Sequence, residues 1–490
     1  MIGLAPPLAS GRSRFNRAWQ DAGAPISLAA MTRIQLALGA TALFVSTTAF
    51  AQAVDPRLAA ARDDALANDT VAWDITEGLT TEVGPRQGGT EAEARGRAWA
   101  LAKLTALGFA NVREESFMMP TWVRGDETAE IVSPFPQKMA VTALGGSSST
   151  GAKGLEAEIV YFPTYADLEA APVGSLKGKI AFISHSMIRT QDGSSYGFAG
   201  PARWTGPNLA ATKGAAGIVI KSIGTDRHRN PHTGGTGFQP GVKPIPSGAL
   251  SIPDAENLER MLKRGRPVRM KLVLTPRDIG QQRSGNVIGE VLGSDPQAGI
   301  VLIACHLDSW DLATGATDDA SGCGIVAAAA KRLMAMGTPR RTVRVLWAGA
   351  EEVGIHGGRA YAEAHKTDRH VVAMESDFGA DRVWRVDFNL GNTAVADRIA
   401  SAVRPLGVTR GQRLAGGGAD IGPIIAAQSL ASVDLQQDGT RYFDLHHTPD
   451  DTLDKVDPVQ LRQNVAAWVA ALSVLANASE VLAAAPVAAE

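Results

Sequence analysis

The chain has 490 residues, enough for two or three compact domains with a sizeable core. Its formal net charge of -2 excludes a global field that would draw it to nucleic acid or to an anionic membrane. Hydrophobic residues make up 45% and aromatics 6%, an ordinary α/β composition that excludes extensive disorder away from the ends.

The first informative stretch is residues 34–50, which is apolar, follows Arg33 and leads into Ala49-Phe50-Ala51. Small residues at 49 and 51 satisfy the A-x-A rule, and the run is too short and too rich in Thr for a comfortable membrane span. It reads as a signal peptide cleaved after Ala51, which implies export to the periplasm or beyond without stable membrane insertion. Met31 opens the positively charged region, so residues 1–30 read as an extension from an upstream start codon. An uncleaved anchor is the bland alternative.

Residues 55–133 begin the main domain. Ala94, Ala98, Leu101, Leu104 and Leu107 recur at helical spacing until Gly108 stops them, and a strand is predicted around 111–117. The texture changes over 134–277, where short apolar runs at 159–162, 180–183 and 218–220 are punctuated by Gly and Pro. Helices are predicted there at 208–216 and at 254–264, the latter with Asp254 as N-cap, so this stretch reads as an inserted mixed α/β domain. Residues 278–480 alternate strands (300–304, 342–347, 371–374) with helices (322–334, 358–364), which predicts a doubly wound, mainly parallel sheet flanked by helices. A closing helix starts at Asp457-Pro458, and the Ala/Pro tail at 481–490 is expected to be flexible. Cys305 and Cys323 are the two cysteines; they read as core thiols rather than a bridge, and neither as a nucleophile.

In an open α/β sheet, ligands bind beyond the carboxyl ends of the strands. Three apolar strands end in polar groups here: His306-Leu307-Asp308, Glu351-Glu352 and Glu375-Ser376-Asp377. Asp318-Asp319 precedes a helix, and His447 lies in the loop before the last one. Each has a bland reading alone: a surface turn, an acidic helix start, a solvated Glu pair, a loop His pair. Together at strand ends, such carboxylates would repel strongly unless cations neutralised them. Imidazole and carboxylate donors suit zinc, and two ions bridged by a carboxylate form a hydrolytic clamp that still needs an unligated carboxylate as base. Adjacent Glu351 and Glu352 suit that division, one free and one ligating.

The segments His306-Leu307-Asp308-Ser309-Trp310-Asp311, Gly315-Ala316-Thr317-Asp318-Asp319, Ala350-Glu351-Glu352-Val353-Gly354, Glu375-Ser376-Asp377 and His446-His447-Thr448 with Asp451-Thr452 carry a resemblance. It extends to Gly84-Pro85-Arg86, Pro231-His232-Thr233-Gly234 and Ile245-Pro246, and so covers nearly all of the chain beyond residue 51. The chain resembles the dizinc metallopeptidase family of aminopeptidases and glutamate carboxypeptidases, most closely its carboxypeptidase Q branch. The resemblance implies that His306 and Asp377 bind one zinc ion, that Glu352 and His447 bind a second, and that Asp318 bridges them. It makes Glu351 the general base and gives Asp308 the task of holding the His306 ring. Glu375 and His446 stand as alternatives to Asp377 and His447. The insert looks like a protease-associated domain beside the cleft, and relatives suggest a homodimer. Two departures, Gly354-Ile355-His356-Gly357-Gly358 and Ala419-Asp420, leave the ligand positions intact.

The implied activity is an exported exopeptidase acting on dipeptides or short peptides. A single-zinc aminoacyl cyclase-like enzyme and a catalytically dead receptor-like module are the alternatives. Complete candidates at five ligand positions and at Glu351 speak against the last.

Overall fold

The apolar run Val301–Cys305 splits its side chains by the two-residue period of a strand: Val301, Ile303 and Cys305 enter one buried layer, Leu302 and Ala304 the other. Both faces are therefore covered, as the interior of a doubly wound sheet requires. The computed structural model describes residues 54–486; the signal segment at 34–51 and the extension at 1–30 lie outside them. Among the described residues no helix is long and apolar enough to cross a membrane.

The main sheet has eight strands in the order Ala110–Val123, Arg277–Val291, Thr342–Ala348, Ile300–His306, His370–Glu375, Ala431–Gln437, Val383–Asn389 and Thr409–Arg410. Ile300–His306 runs parallel to both its neighbours, and His370–Glu375 is parallel to Ala431–Gln437. The pairings flanking this centre are antiparallel, and the edge strand Thr409–Arg410 is parallel to Val383–Asn389, so the sheet is mixed. Helices Pro56–Asn68, Val71–Gly78, Ser321–Met336 and Pro458–Asn477 bury one face, and His356–Ala364 with Gly422–Gln428 the other. The closing helix is capped by Asp457, whose side chain accepts from the N–H groups of Val459 and Gln460, with Pro458 in the first turn.

A second eight-stranded sheet begins at Glu127–Ser133 and ends at Arg269–Leu274. Strand Glu127–Ser133, which precedes the start expected for the insert at 134, pairs with Arg269–Leu274 and not with the main sheet. The entry and exit of the insert lie side by side, since Ala110–Val123 and Arg277–Val291 pair antiparallel along their length. Helix Ile252–Leu262 is capped by Ser251, not Asp254. Asp254 sits inside the first turn instead, and its carboxylate accepts the Ala140 N–H at 2.7 Å. The helix expected at 208–216 is Gly206–Thr212, ended by a turn at Gly214 with φ of 89°.

Residues 481–486, the described part of the tail, make contacts with the main domain. Leu482 is buried, Gly391 donates to the Ala483 carbonyl at 2.8 Å, and Ala485 donates to Asn389 Oδ1 at 3.1 Å.

Candidate metal centre

Thr342–Ala348, Ile300–His306 and His370–Glu375 are adjacent and parallel, so their carboxyl ends open on one edge. His306 ends the middle strand, while Glu351-Glu352 and Asp377 follow its two neighbours. Asp318 comes from the loop before Ser321–Met336, and His447 from the loop after the short Tyr442–Leu445 helix.

These groups form one chain of contacts. His306 Nε2 lies 3.0 Å from Asp318 Oδ1 and 3.4 Å from Asp377 Oδ1. His447 Nε2 lies 2.9 Å from Glu352 Oε2 and 3.4 Å from Asp318 Oδ2. Asp318 therefore turns one oxygen to each imidazole. The His306 Nδ1–H donates to the Asp308 carbonyl at 3.0 Å, which leaves Nε2 free to face the carboxylates. The Asp308 side chain, expected to hold that ring, stands 3.7 Å from Nδ1 and also accepts the Glu351 N–H at 2.9 Å.

Of the neighbouring pairs, Glu375 accepts the N–H groups of Ala419, Asp420 and Ile421 at 3.0 to 3.1 Å, whereas Asp377 turns to His306. His446 stacks on the His447 ring with centroids 3.5 Å apart, and its Nε2 is 3.8 Å from Asp318 Oδ2.

The donors fit divalent cations. Asp318 Oδ2 and Asp377 Oδ1 are buried with no hydrogen-bond partner among the described residues, a costly state for a carboxylate that nothing else compensates. Ligand atoms of His306, Asp318 and Glu352 lie within 4.8 Å of one another, as do those of Asp318, His446 and His447 and those of His306, Asp319 and Asp377. Burial, then Asp318, pushes the Glu352 carboxyl well above its ordinary range. Burial also raises Asp377. It pulls His306 down, yet the Asp377, Asp308 and Asp318 carboxylates outweigh it and drive the ring well above its usual value. His447, buried beside Arg203, is pulled down to about 3. Surplus negative charge around His306 is the condition a cation relieves.

Cys305 and Cys323 are joined as a disulfide, not left as two core thiols. Cys305 is next to last in its strand and Cys323 sits in the first turn of Ser321–Met336, so the tight loop between them brings their Cα atoms to 5.1 Å.

Residues 286–472 match peptidase family M28. A peptidase M28 precursor from Shewanella amazonensis SB2B, known from a crystal structure, is 45% identical with a TM-score of 0.84, over 88% of this chain and 98% of that one. The chain belongs to peptidase family M28. Carboxypeptidase Q of Bos taurus is 31% identical over 410 residues, covering 82% of this chain and 85% of the relative. BSAP, a zinc aminopeptidase from Bacillus subtilis, shares the fold at 21% identity and a TM-score of 0.59, over 84% and 96% of the two chains. This M28 peptidase is a metallo-exopeptidase, a hydrolase of peptide bonds.

Several residues that shape the M28 site had no role assigned from sequence. Asp451 accepts the Thr317 N–H and hydroxyl, each at 2.7 Å, and the Asp318 N–H at 3.2 Å, so it sets the Asp318 loop. Burial and Asp318 push its carboxyl to about 7. Arg86, fully buried, donates to the carbonyls of Leu307, Thr314 and Gly315 and ties the same loop from the other side. Asp319 accepts the backbone N–H of His306 at 3.1 Å and of Gly322 at 3.0 Å. Arg86 and Asp451 stand in motifs noted above, but a motif does not say which backbone its side chain will serve.

Proposed function

We propose that this M28 peptidase is an exported, zinc-dependent exopeptidase that hydrolyses dipeptides or short peptides. The observation that carries the reading is Asp318, placed with one oxygen toward His306 and the other toward His447. His306 and Asp377 would hold one zinc ion, Glu352 and His447 a second, and Asp318 both. Imidazole and carboxylate donors without thiolate suit zinc, the metal named for BSAP. When bound, two zinc ions acidify a water molecule and polarise the peptide carbonyl.

The chain supplies the proton traffic. Glu351, half-buried beside Glu352, takes the proton of the attacking water and passes it to the leaving amine. Burial raises its carboxyl well above the ordinary range; His306 opposes this, and Asp377, Asp308 and Asp318 add to it. Asp308 orients Glu351 by accepting its backbone N–H.

The insert is read as a protease-associated domain. Tyr442 and Phe443, just before His446-His447, pack into its core cluster, which supports an approach narrowed to short substrates. Export is supported by the apolar segment at 34–50 and by the Cys305–Cys323 bridge, a bond that persists in oxidising compartments. A homodimer is the proposed assembly.

The test is a screen of dipeptides, N-terminally blocked peptides and C-terminally amidated peptides, with zinc measured on the same sample. Hydrolysis that requires a free terminus, with two zinc ions per chain, is expected. Failure to cleave any dipeptide or aminoacyl amide with zinc supplied overturns the reading, and one ion per chain redirects it to the aminoacyl cyclase-like class.

A further inference from the structure

His447 is the one proposed ligand that does not belong to a main-sheet strand end or to the Asp318 loop. Its backbone is left-handed, with φ of 63°, a conformation that a residue with a side chain holds only when its surroundings enforce it. The enforcing contacts come from the insert. Thr233 donates its N–H to the His447 carbonyl at 3.0 Å, and the His447 Nδ1–H donates to the Thr233 carbonyl at 3.2 Å. Nδ1 is thereby turned toward the insert, where Arg203 Nη1 also lies 3.3 Å away, and Nε2 faces Glu352.

One residue earlier, the His232 ring lies between two acceptors, with Nδ1 2.8 Å from the His446 carbonyl and Nε2 2.8 Å from Asp226 Oδ1. The peptide that enters His447 is thus pinned on its carbonyl side. Both partners are buried, His232 at 1% exposure and Asp226 at 4%, so neither contact is diluted by solvent. Asp226 is steadied by the His228 N–H at 2.8 Å, and the His232 backbone N–H donates to Ser222 Oγ at 2.9 Å. The strip continues to Thr225, which donates to the Phe443 carbonyl at 3.0 Å. Gly224 leaves room for the imidazole: a Cβ there would meet the His232 ring at 2.2 Å.

We propose that His232, held by Asp226, is a positioning residue for His447, so that the insert sets the affinity of one of the two metal positions and leaves the other to the main sheet. The inference rests on the two-zinc reading above. His232 touches neither metal nor substrate; it acts by fixing the plane of the 446–447 peptide. Without that bond the peptide turns, the left-handed residue relaxes and Nε2 swings away from Glu352 and Asp318, while His306 and Asp377 stay where their strands put them.

The experiment is stepwise zinc titration of the metal-depleted full-length chain against a competing chelator. Wild type is expected to take two ions. His232→Ala and Asp226→Asn are each expected to weaken one ion by about 10- to 100-fold, the range for groups that orient a ligand, with the other unchanged. His232→Asn, whose side-chain N–H occupies the place of Nδ1, is expected to restore part of the loss. In a His447→Ala background, His232→Ala is expected to add nothing. Two ions held with wild-type affinity in both His232→Ala and Asp226→Asn overturn the proposal while the two-zinc reading stands; equal weakening of both ions overturns it in favour of a general structural role. Fewer than two ions in wild type overturns the reading and the proposal together. Should His232→Ala fail to fold, Asp226→Asn and His232→Asn are judged by the same criteria.

Discussion

Cys305 and Cys323 are bonded to each other across a sequence separation of 18, and the loop they close contains both His306 and Asp318. The Cys323 end also borders the helix that follows Asp318-Asp319, so strand end, loop and helix start are held as one unit.

Removing that bond should destabilise the fold. Closing a loop of this size restricts the unfolded chain by about 3 kcal/mol. The Cys305→Ala/Cys323→Ala double variant is expected to unfold at a lower denaturant midpoint by about that free energy, read from urea melts of metal-free protein under non-reducing conditions. Equal midpoints for the two proteins would show that the bridge adds nothing.

Glu351→Gln should separate metal binding from turnover. An amide cannot accept the water's proton, and a positioned base is worth about 100- to 10,000-fold in rate. We expect kcat to drop in that range while zinc content stays at the wild-type value. A variant retaining wild-type kcat would remove Glu351 from the mechanism.

Asp451→Ala tests how the Asp318 loop is held. The change leaves the Thr317 N–H, the Thr317 hydroxyl and the Asp318 N–H without their acceptor. Zinc affinity is expected to weaken by about 10- to 100-fold, as for other groups that orient a ligand, measured by competition with a chromogenic chelator. Unchanged affinity would mean that Arg86 alone suffices.

His370 makes stability pH-dependent. It is buried, accepts the Tyr361 hydroxyl at Nε2 (2.7 Å) and donates from Nδ1 to Gln428 Oε1 at 3.3 Å, an arrangement that requires the neutral ring. Burial, then Arg344, pulls its pKa from 6.5 to about 4. Between those values the unfolded chain holds the proton and the folded chain does not, so stability falls as pH drops from 6.5 to about 4. The loss reaches about 3 kcal/mol at one pH unit per 1.4 kcal/mol. Denaturant melts across that window should show a shallower decline in His370→Gln; parallel curves would exclude His370 as a source.

Much of the main domain is legible locally. Strand 300–306 and helix 458–477 declare themselves by apolar periodicity and by the Asp457-Pro458 cap, because these signals depend on neighbours a few residues away. The convergence of His306, Glu352 and Asp377 follows from a general property of parallel strands, whose carboxyl ends share one edge. Choosing between Glu375 and Asp377 needed more. Glu375 ends its strand and Asp377 lies two residues beyond it, and only the tertiary contacts differ: the loop at 419–421 engages Glu375 while Asp377 faces His306.

The sequence by itself determined the α/β alternation, the apolar strands and the order of the chemical groups at their ends, since each arises from the local pattern of side chains along the backbone. Tertiary structure alone decided that Cys305 reaches Cys323, that Glu127–Ser133 pairs with Arg269–Leu274, and that His232 and Thr233 brace the peptide at His447. The last of these contacts spans 214 positions. Such pairings are set by how packed layers bring distant backbone groups within hydrogen-bond reach, and no periodicity in the sequence encodes that distance.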